Sequence, residues 1–149
     1  MRHFVVAAHP SVRSFNHAVV EAYTSELIER GHRVECRDLY AAGFNPILSA
    51  RDLAAVARGK MAKDIKVEQA AIRRADVLTF ISPLWWSGFP AMLKGYLDRV
   101  FCAGFAYVIK GEDYLPGLLR FLYAGPGDEL RRSTCGEPDA FARRREDRH

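Results

Sequence analysis

The sequence has few cysteines and no apolar run long enough to cross a lipid bilayer. Its five histidines, at positions 3, 9, 17, 32 and 149, do not cluster as metal ligands, so we expect no metal. An apolar segment begins almost at once, which predicts no signal peptide and no membrane insertion. Reduced thiols in a cytoplasmic protein are expected, because no Cys-x-x-Cys or zinc-ligand spacing joins Cys36, Cys102 and Cys135.

Three common fingerprints are also absent from the sequence. There is no Gly-x-Gly-x-x-Gly segment, so the nicotinamide-type dinucleotide fingerprint is missing. The absence of Gly-x-x-x-x-Gly-Lys-[Ser/Thr] argues against a nucleotide triphosphatase. Without a Gly-x-Ser-x-Gly elbow, a hydrolase of the α/β type is disfavoured.

The 149 residues fit one domain with a substantial core, and the hydrophobic fraction of 49% is ordinary for a globular protein. The net charge of +4 is concentrated towards the end of the chain, where residues 130–149 hold six Lys/Arg against four Asp/Glu. We therefore predict a domain over residues 1–127 and an irregular basic tail over 128–149. Nucleic-acid binding is disfavoured because no recognition helix or aromatic-interleaved basic patch accompanies the tail.

Strand and helix patterns alternate along the first hundred residues. Continuous apolar runs predict two buried strands, and an alternating run between them predicts a half-exposed strand. The predicted order is strand, helix, strand, helix, helix, strand and helix, at residues 3–8, 14–30, 33–39, 49–57, 64–74, 76–81 and from about 90. This alternation predicts an α/β fold with a doubly wound parallel sheet and right-handed crossovers.

Apolar spacing predicts which faces of two helices point inward. The first helix has a face formed by Ala18, Val19, Ala22, Tyr23 and Leu27. The helix after Pro90 has an outer face with Lys94, Asp98 and Arg99 and an inner stripe formed by Met92, Leu93, Tyr96, Leu97, Val100 and Phe101. Beyond Gly104 the pattern weakens to a short extended piece at 105–109 and a fourth strand at 118–124, and we find no fifth strand.

Two unusual loops follow the first and third strands, which lie side by side in the shorter of the two common doubly wound orders. The first loop carries Ser11, Ser14 and Asn16 before a helix, where free N–H groups and the helix dipole favour an anion. The second carries Trp85 and Trp86. A phosphate cradle beside an aromatic platform fits a flavin nucleotide. The alternative is that the polar side chains only cap the helix and the indoles plug the core.

Ordered motifs over residues 4–118 resemble the flavodoxin-like NAD(P)H:quinone oxidoreductases, the DT-diaphorase-like family. The motifs are Ala8-His9-Pro10 through Ser14-Phe15-Asn16-His17-Ala18, Asp38-Leu39-Tyr40, Phe44-Asn45-Pro46, Glu68-Gln69-Ala70-Ala71-Ile72, Ala75-Asp76, Pro83-Leu84-Trp85-Trp86, Lys94-Gly95-Tyr96-Leu97-Asp98-Arg99-Val100-Phe101 and Gly104-Phe105-Ala106-Tyr107. The resemblance implies a flavodoxin-like sheet of strand order 2-1-3-4(-5), with or without the last strand.

The resemblance also implies a flavin, FAD or FMN, with NAD(P)H as co-substrate and a quinone-type acceptor. The residues that it implies near the flavin phosphates are His9, Ser14, Phe15, Asn16 and Ala18. The residues that it implies against the isoalloxazine ring are Pro83, Leu84, Trp85, Trp86 and Ser87. Family members usually work as homodimers, with Tyr107 close to the interface.

The sequence departs from this family in the loop after the fourth strand. The family has a Thr-Thr-Gly-Gly-type loop with a Tyr and a His further on for the hydride relay, whereas this chain has Tyr123-Ala124-Gly125-Pro126-Gly127-Asp128 in that region. The carboxyl-terminal part is thus divergent or truncated, and no hydride-relay residue is assigned. Two alternatives stay open: a flavin-binding regulatory or ancillary subunit without turnover, and a one-electron carrier. The latter is disfavoured by the lack of a strongly acidic surface.

Overall fold

The computed structural model describes residues 1–110 and 113–116. Its elements are β1 Arg2–Ala7, α1 Phe15–Glu29, β2 Arg33–Asp38, α2 Ala50–Ala57, α3 Lys63–Arg74, β3 Val77–Ile81, α4 Ala91–Val100, β4 Tyr107–Lys110 and β5 Asp113–Pro116. Every element predicted up to residue 101 is present, with its ends within about two residues of the prediction. The predicted fourth strand at 118–124 and the tail at 128–149 lie outside the described residues.

The central sheet is parallel and has the order β2-β1-β3. In register, His3 pairs with Val34 of β2 and Val77 of β3. Placing β1 between the other two strands confirms the predicted α/β fold and its 2-1-3 order. It also brings the carboxyl ends of all three strands to one edge of the sheet. The short extended piece expected at 105–109 is the first strand of an antiparallel hairpin, β4–β5.

Local sequence explains where the helices begin and end. Ser14 caps α1 with its hydroxyl oxygen, which accepts a hydrogen bond from the His17 amide. Gly31 ends this helix at a φ of +78°, a conformation that glycine adopts without steric cost. Ser49 and Asp52 form a capping box that starts α2. These caps fix where the loops leave the sheet.

The hydrophobic core lies between one face of the sheet and helices α3 and α4. Strand β1 is buried from His3 to Ala7, as predicted from its continuous apolar run. Its even-numbered side chains pack against the two helices in a cluster that includes Phe4, Val6, Ile72, Leu93 and Tyr96. Strand β3 is only half-buried, which differs from the prediction, because it is the outer strand of the described sheet.

The predicted inner face of α1 is partly wrong. Ala18 and Ala22 are exposed, and no residue of α1 is fully buried. The half-buried face carries Val20 and Thr24 in addition to the predicted Val19, Tyr23 and Leu27. The apolar residues of α1 lie on several sides, so spacing alone could not select the side that meets the sheet.

The prediction that Arg99 faces outward is wrong. It lies on α4 with only 7% of its surface exposed. Its guanidinium donates to the Asp64 carboxylate and to the Asn45 carbonyl, both at 2.8 Å, and lies 3.4 Å from Asp52. Two carboxylates and a backbone oxygen replace the water that burial removes, so this arginine joins α2, α3 and α4.

Helix α4 approaches the loop between β2 and α2 closely at Gly95. A Cβ atom placed there would overlap the backbone of Pro46. Glycine is therefore needed for close packing at a position where its helix propensity is unfavourable. None of the helices in the described ranges is long and apolar enough to span a membrane.

Candidate functional site

The two unusual loops lie together at the carboxyl edge of the sheet. Strands β1 and β3 are hydrogen-bonded neighbours, and the pairing continues past them, because the Ala8 amide donates to the Ile81 carbonyl at 3.0 Å. The ring centroids of His9 and Trp85 are 5.9 Å apart in an edge-on arrangement. The predicted juxtaposition of the serine-and-asparagine loop and the tryptophan loop is thus observed.

The first loop is held by its own polar groups. The Nδ1 atom of His9 accepts from the Ser11 amide at 3.0 Å, and the Ser11 carbonyl accepts from the Ser14 amide at 3.1 Å. Within the described ranges, the first-turn N–H groups of Phe15 and Asn16 have no acceptor. These free donors at a helix N-terminus suit an anion, beyond the capping role that Ser14 also fills.

The second loop is a tight two-residue turn. Trp85 and Gly88 exchange two backbone hydrogen bonds of 3.0 Å each. The central residues, Trp86 and Ser87, have φ values of +51° and +59°, as a type I′ turn requires. This turn normally has Asn or Gly at these positions, because other side chains are strained there. Strain of this kind is concentrated at functional sites.

The strained turn directs its aromatic side chains away from the core. Trp86 is fully exposed, Trp85 is 45% exposed and Phe15, across the site, is 82% exposed. The neighbouring Leu84 and Phe89 are exposed as well. The alternative that the indoles plug the core is therefore wrong for Trp86. A cluster of large exposed apolar side chains indicates a surface that binds a ligand or a partner.

The predicted site residues form an open surface of unequal exposure. Exposed residues are Phe15, Ala18, Leu84, Trp85, Trp86 and Ser87, and half-buried ones are His9, Ser14, Asn16 and Pro83. Ala18 is exposed on α1. Tyr107, expected near the interface, packs beside the core cluster. The described part of the chain thus provides one side of a binding site.

Three polar side chains are linked by hydrogen bonds behind the first loop, and of these only Ser14 was predicted as functional. The Ser14 hydroxyl lies 2.9 Å from Nδ1 of His17, and Nε2 of His17 lies 2.9 Å from an Asp38 carboxylate oxygen. Asp38 is the last residue of β2, so its place beside β1 brings it to the site. The signal available in the sequence was Asp38, an acidic residue at the end of a strand that was predicted next to β1.

Backbone and side-chain donors keep Asp38 ionised. Partial burial would raise its pKa, but hydrogen bonds from His17 and from the backbone amides of Ala41 and Tyr40 together lower the pKa below its usual value. A carboxylate that accepts this many hydrogen bonds is held in the charged form. It therefore fixes the orientation of the His17 ring.

Two cavities lie away from this surface. The larger, of about 150 Å³, is lined by the amino-terminal ends of β1 and β2 and by α3, including Arg2, Arg33 and Arg74. The smaller, of about 10 Å³, has room for one water beside Arg99. Neither of these two cavities, both lined by described residues, has the volume of a cofactor site.

Known proteins match most of this chain. A protein-family profile described as flavodoxin-like fold matches residues 1–122. An uncharacterized NAD(P)H oxidoreductase of Haemophilus influenzae is 46% identical over 121 residues, covering 80% of this chain and 59% of that protein. The solved NAD(P)H:quinone oxidoreductase of Methanothermobacter marburgensis has 43% identity and a TM-score of 0.68, over 73% of this chain and 57% of its own.

A more distant structure shows the fold alone. The general stress protein 14 of Treponema denticola, solved in complex with FMN, has a TM-score of 0.53 at 24% identity and covers 74% of this chain and 54% of its own. The chain thus spans a little over half the length of each of these three proteins. The chain belongs to the flavodoxin-like fold family, in the group that contains NAD(P)H:quinone oxidoreductases.

Proposed function

We propose that this chain forms the flavin-binding part of an NAD(P)H:quinone oxidoreductase. The observation that carries the proposal is the meeting of two uncovered indoles with a helix N-terminus that has free N–H donors. A flat ring would cover the exposed indoles, and its phosphate would accept from the free donors. The residues present therefore fit FMN, or the corresponding half of FAD.

Each loop has a distinct part in this proposal. The Phe15 and Asn16 amides would hold the flavin phosphate, with Ser14, His9 and Ala18 beside it. The segment from Pro83 to Ser87 would lie against the isoalloxazine ring. The bound flavin supplies the two-electron hydride relay. Overall, NAD(P)H, a quinone and one proton would give NAD(P)⁺ and the hydroquinone, with the protein providing orientation and keeping water from the ring face.

The names of similar proteins support the reaction class. The Haemophilus influenzae relative is named an NAD(P)H oxidoreductase, and the Methanothermobacter marburgensis structure an NAD(P)H:quinone oxidoreductase. An FMN complex is known for one protein of this fold. We place the protein in the cytoplasm and propose a homodimer, in which a second copy would cover part of the exposed aromatic surface.

A second candidate function is a flavin-binding regulatory or ancillary subunit without turnover. It is favoured by the segment Tyr123-Ala124-Gly125, where the threonine pair expected before the glycine is missing. Both candidates require flavin binding, and they differ in NAD(P)H oxidation.

Two measurements on the full chain separate these functions. Titration with FMN and FAD, followed by quenching of flavin fluorescence, tests binding. Steady-state oxidation of NADH and NADPH with a quinone tests turnover. Binding with turnover above that of free flavin supports the enzyme, and binding without turnover supports the ancillary subunit. A protein that binds neither flavin would overturn both.

Variants of the turn test the aromatic platform. We expect Trp86→Ala to weaken flavin binding by about tenfold, since stacking on an aromatic ring contributes roughly 1 kcal/mol beyond the apolar area that it buries. Trp86→Phe should retain most of the affinity. The matched control is Leu53→Ala, which removes an exposed apolar side chain on α2. Equal losses in Trp86→Ala and Leu53→Ala would contradict the proposed ring position.

A further inference from the structure

A continuous hydrogen-bonded chain links the end of β2 to the first turn of α1. It runs from the Asp38 carboxylate through the His17 ring to the Ser14 hydroxyl, with 2.9 Å at both steps. The Ser14 oxygen also accepts from the His17 amide at 3.2 Å. The proposed flavin phosphate meets this turn of the helix, so the inference that follows rests on the proposed function.

The proton positions in this chain follow from its acceptors. An ionised carboxylate can only accept, so Nε2 of His17 must carry the proton that it shares with Asp38. In the neutral ring, Nδ1 is then an acceptor, and the Ser14 hydroxyl donates its hydrogen bond to it. Ser14 consequently has no proton to offer outward, and its remaining lone pair would face any anion at the helix N-terminus.

A second proton on His17 reverses this arrangement. Nδ1 of the charged ring becomes a donor to Ser14, whose oxygen then accepts from both Nδ1 and the His17 amide. With both lone pairs occupied, the Ser14 hydroxyl proton is free to point outward. The imidazolium remains next to the Asp38 carboxylate, which offsets its charge. On the side of Ser14 that faces the binding surface, a lone pair is therefore replaced by a hydrogen-bond donor.

We propose that His17 is a positioning residue that switches Ser14 between acceptor and donor, so that protonation of His17 strengthens binding of the flavin phosphate. The groups that face the ring are Asp38 at the end of β2, Ser14 at the cap and His9 in the loop after β1, whose ring centroid lies 6.3 Å away. Nδ1 of His9 is occupied by the Ser11 amide, so His9 does not share the proton of the chain.

The test compares flavins with and without a phosphate across pH. The full chain is titrated with FMN and with riboflavin between pH 5.5 and pH 8.5, and the ratio of the two affinities is taken at each pH. One added hydrogen bond should raise this ratio about fivefold on protonation of His17. The second ionisation of the FMN phosphate, near pH 6, is common to all variants and is removed by comparing them.

Three variants isolate the switch. His17→Gln retains a donor for Asp38 but cannot gain a proton, so its ratio should lack the fivefold change. Ser14→Ala should lose the same change, whereas Ser14→Thr, which conserves the hydroxyl and the cap, should retain it. The matched control is His32→Gln, at the opposite edge of the sheet beside Met1, which should behave as the unchanged protein.

The outcomes distinguish this inference from the proposed function. The switch is supported if the affinity ratio loses its pH-dependent change in His17→Gln and Ser14→Ala and retains it in Ser14→Thr and His32→Gln. Identical profiles in the unchanged protein and His17→Gln would overturn it, while flavin binding itself would stand. If the unchanged chain binds neither flavin at any pH, the proposed function and the switch fall together. A merely structural role of His17 would lower FMN and riboflavin affinity equally and leave their ratio unchanged.

Discussion

At the scale of single residues, the backbone of the tryptophan turn is the clearest sign that this edge of the sheet has a function. Trp86 and Ser87 both have positive φ, although neither is Gly or Asn. Such a conformation is retained only where the surrounding structure enforces it. Here it presents an indole to solvent, where the hydrophobic effect alone would favour burial.

The strain at Ser87 can be measured with two substitutions. We expect Ser87→Gly to have a free energy of unfolding about 1 kcal/mol higher than Ser87→Ala, because glycine adopts positive φ without the Cβ clash. Urea unfolding of the full chain measures the difference. Alanine is the matched control, since both variants lose the hydroxyl. Equal stability of the two would show that the turn does not strain this residue.

At the scale of secondary-structure elements, capping and ion pairing act together at the start of α2. Asp52 closes the capping box with Ser49 and lies 3.4 Å from the Arg99 guanidinium of α4. The Ser49 backbone hydrogen bond is the largest influence and lowers the Asp52 pKa, with Arg99 adding to it and burial opposing it. One carboxylate thus stabilises both a helix start and a contact between helices.

This lowered pKa predicts how stability depends on acid. The folded-state pKa lies below the unfolded value of about 3.9, so the stabilisation is present above that value and is lost as pH falls through the folded pKa. We expect Asp52→Asn to be less stable near neutral pH and to lose less stability on acidification from pH 5. Denaturant unfolding at a series of pH values measures this slope.

The control for Asp52 is a carboxylate on the exposed face of another helix. Asp98→Asn breaks the exposed pair with Lys94 on α4, which contributes a few tenths of a kcal/mol. It should retain the acid dependence of the unchanged protein. If Asp52→Asn and the unchanged protein lose the same stability on acidification from pH 5, the role of the capping box would be contradicted.

At the scale of the whole molecule, the described chain has a well-buried side and an open side. Helices α3 and α4 cover one face of the sheet, whereas α1 has no fully buried residue and β3 is half-exposed. The exposed aromatic residues lie at the edge shared by α1 and β3. The proposed flavin would bury apolar surface where the fold leaves it exposed.

Flavin binding should therefore stabilise the whole fold. A ligand that binds only the native state at 100 times its dissociation constant adds about 2.7 kcal/mol to the free energy of unfolding. We expect FMN at that excess to raise the midpoint of thermal unfolding, and riboflavin at the same concentration to raise it less. Thermal unfolding followed by far-ultraviolet circular dichroism measures both. An unchanged midpoint with saturating FMN would contradict flavin binding to the native state.

The elements and their order could be predicted from local sequence patterns. Short apolar runs, serine caps and the glycine after α1 act within a few residues of each other, so strands, helices and the alternation that implies a parallel sheet can be predicted without long-range information. The two loops that carry the candidate site were predicted for the same reason. Once strand β1 is placed between β2 and β3, their positions at one edge follow.

Which side chains meet depends on the packing of distant segments and could not be predicted from the sequence. Arg99 looks like a surface residue in the helical pattern, but carboxylates from two other helices surround it. The hydrogen bonds of Ser14, His17 and Asp38 join a helix to a strand, and His17 and Asp38 are 21 residues apart in the sequence. Hydrogen bonds of this kind depend on distances set by packing, and packing between distant segments leaves no local pattern in the sequence.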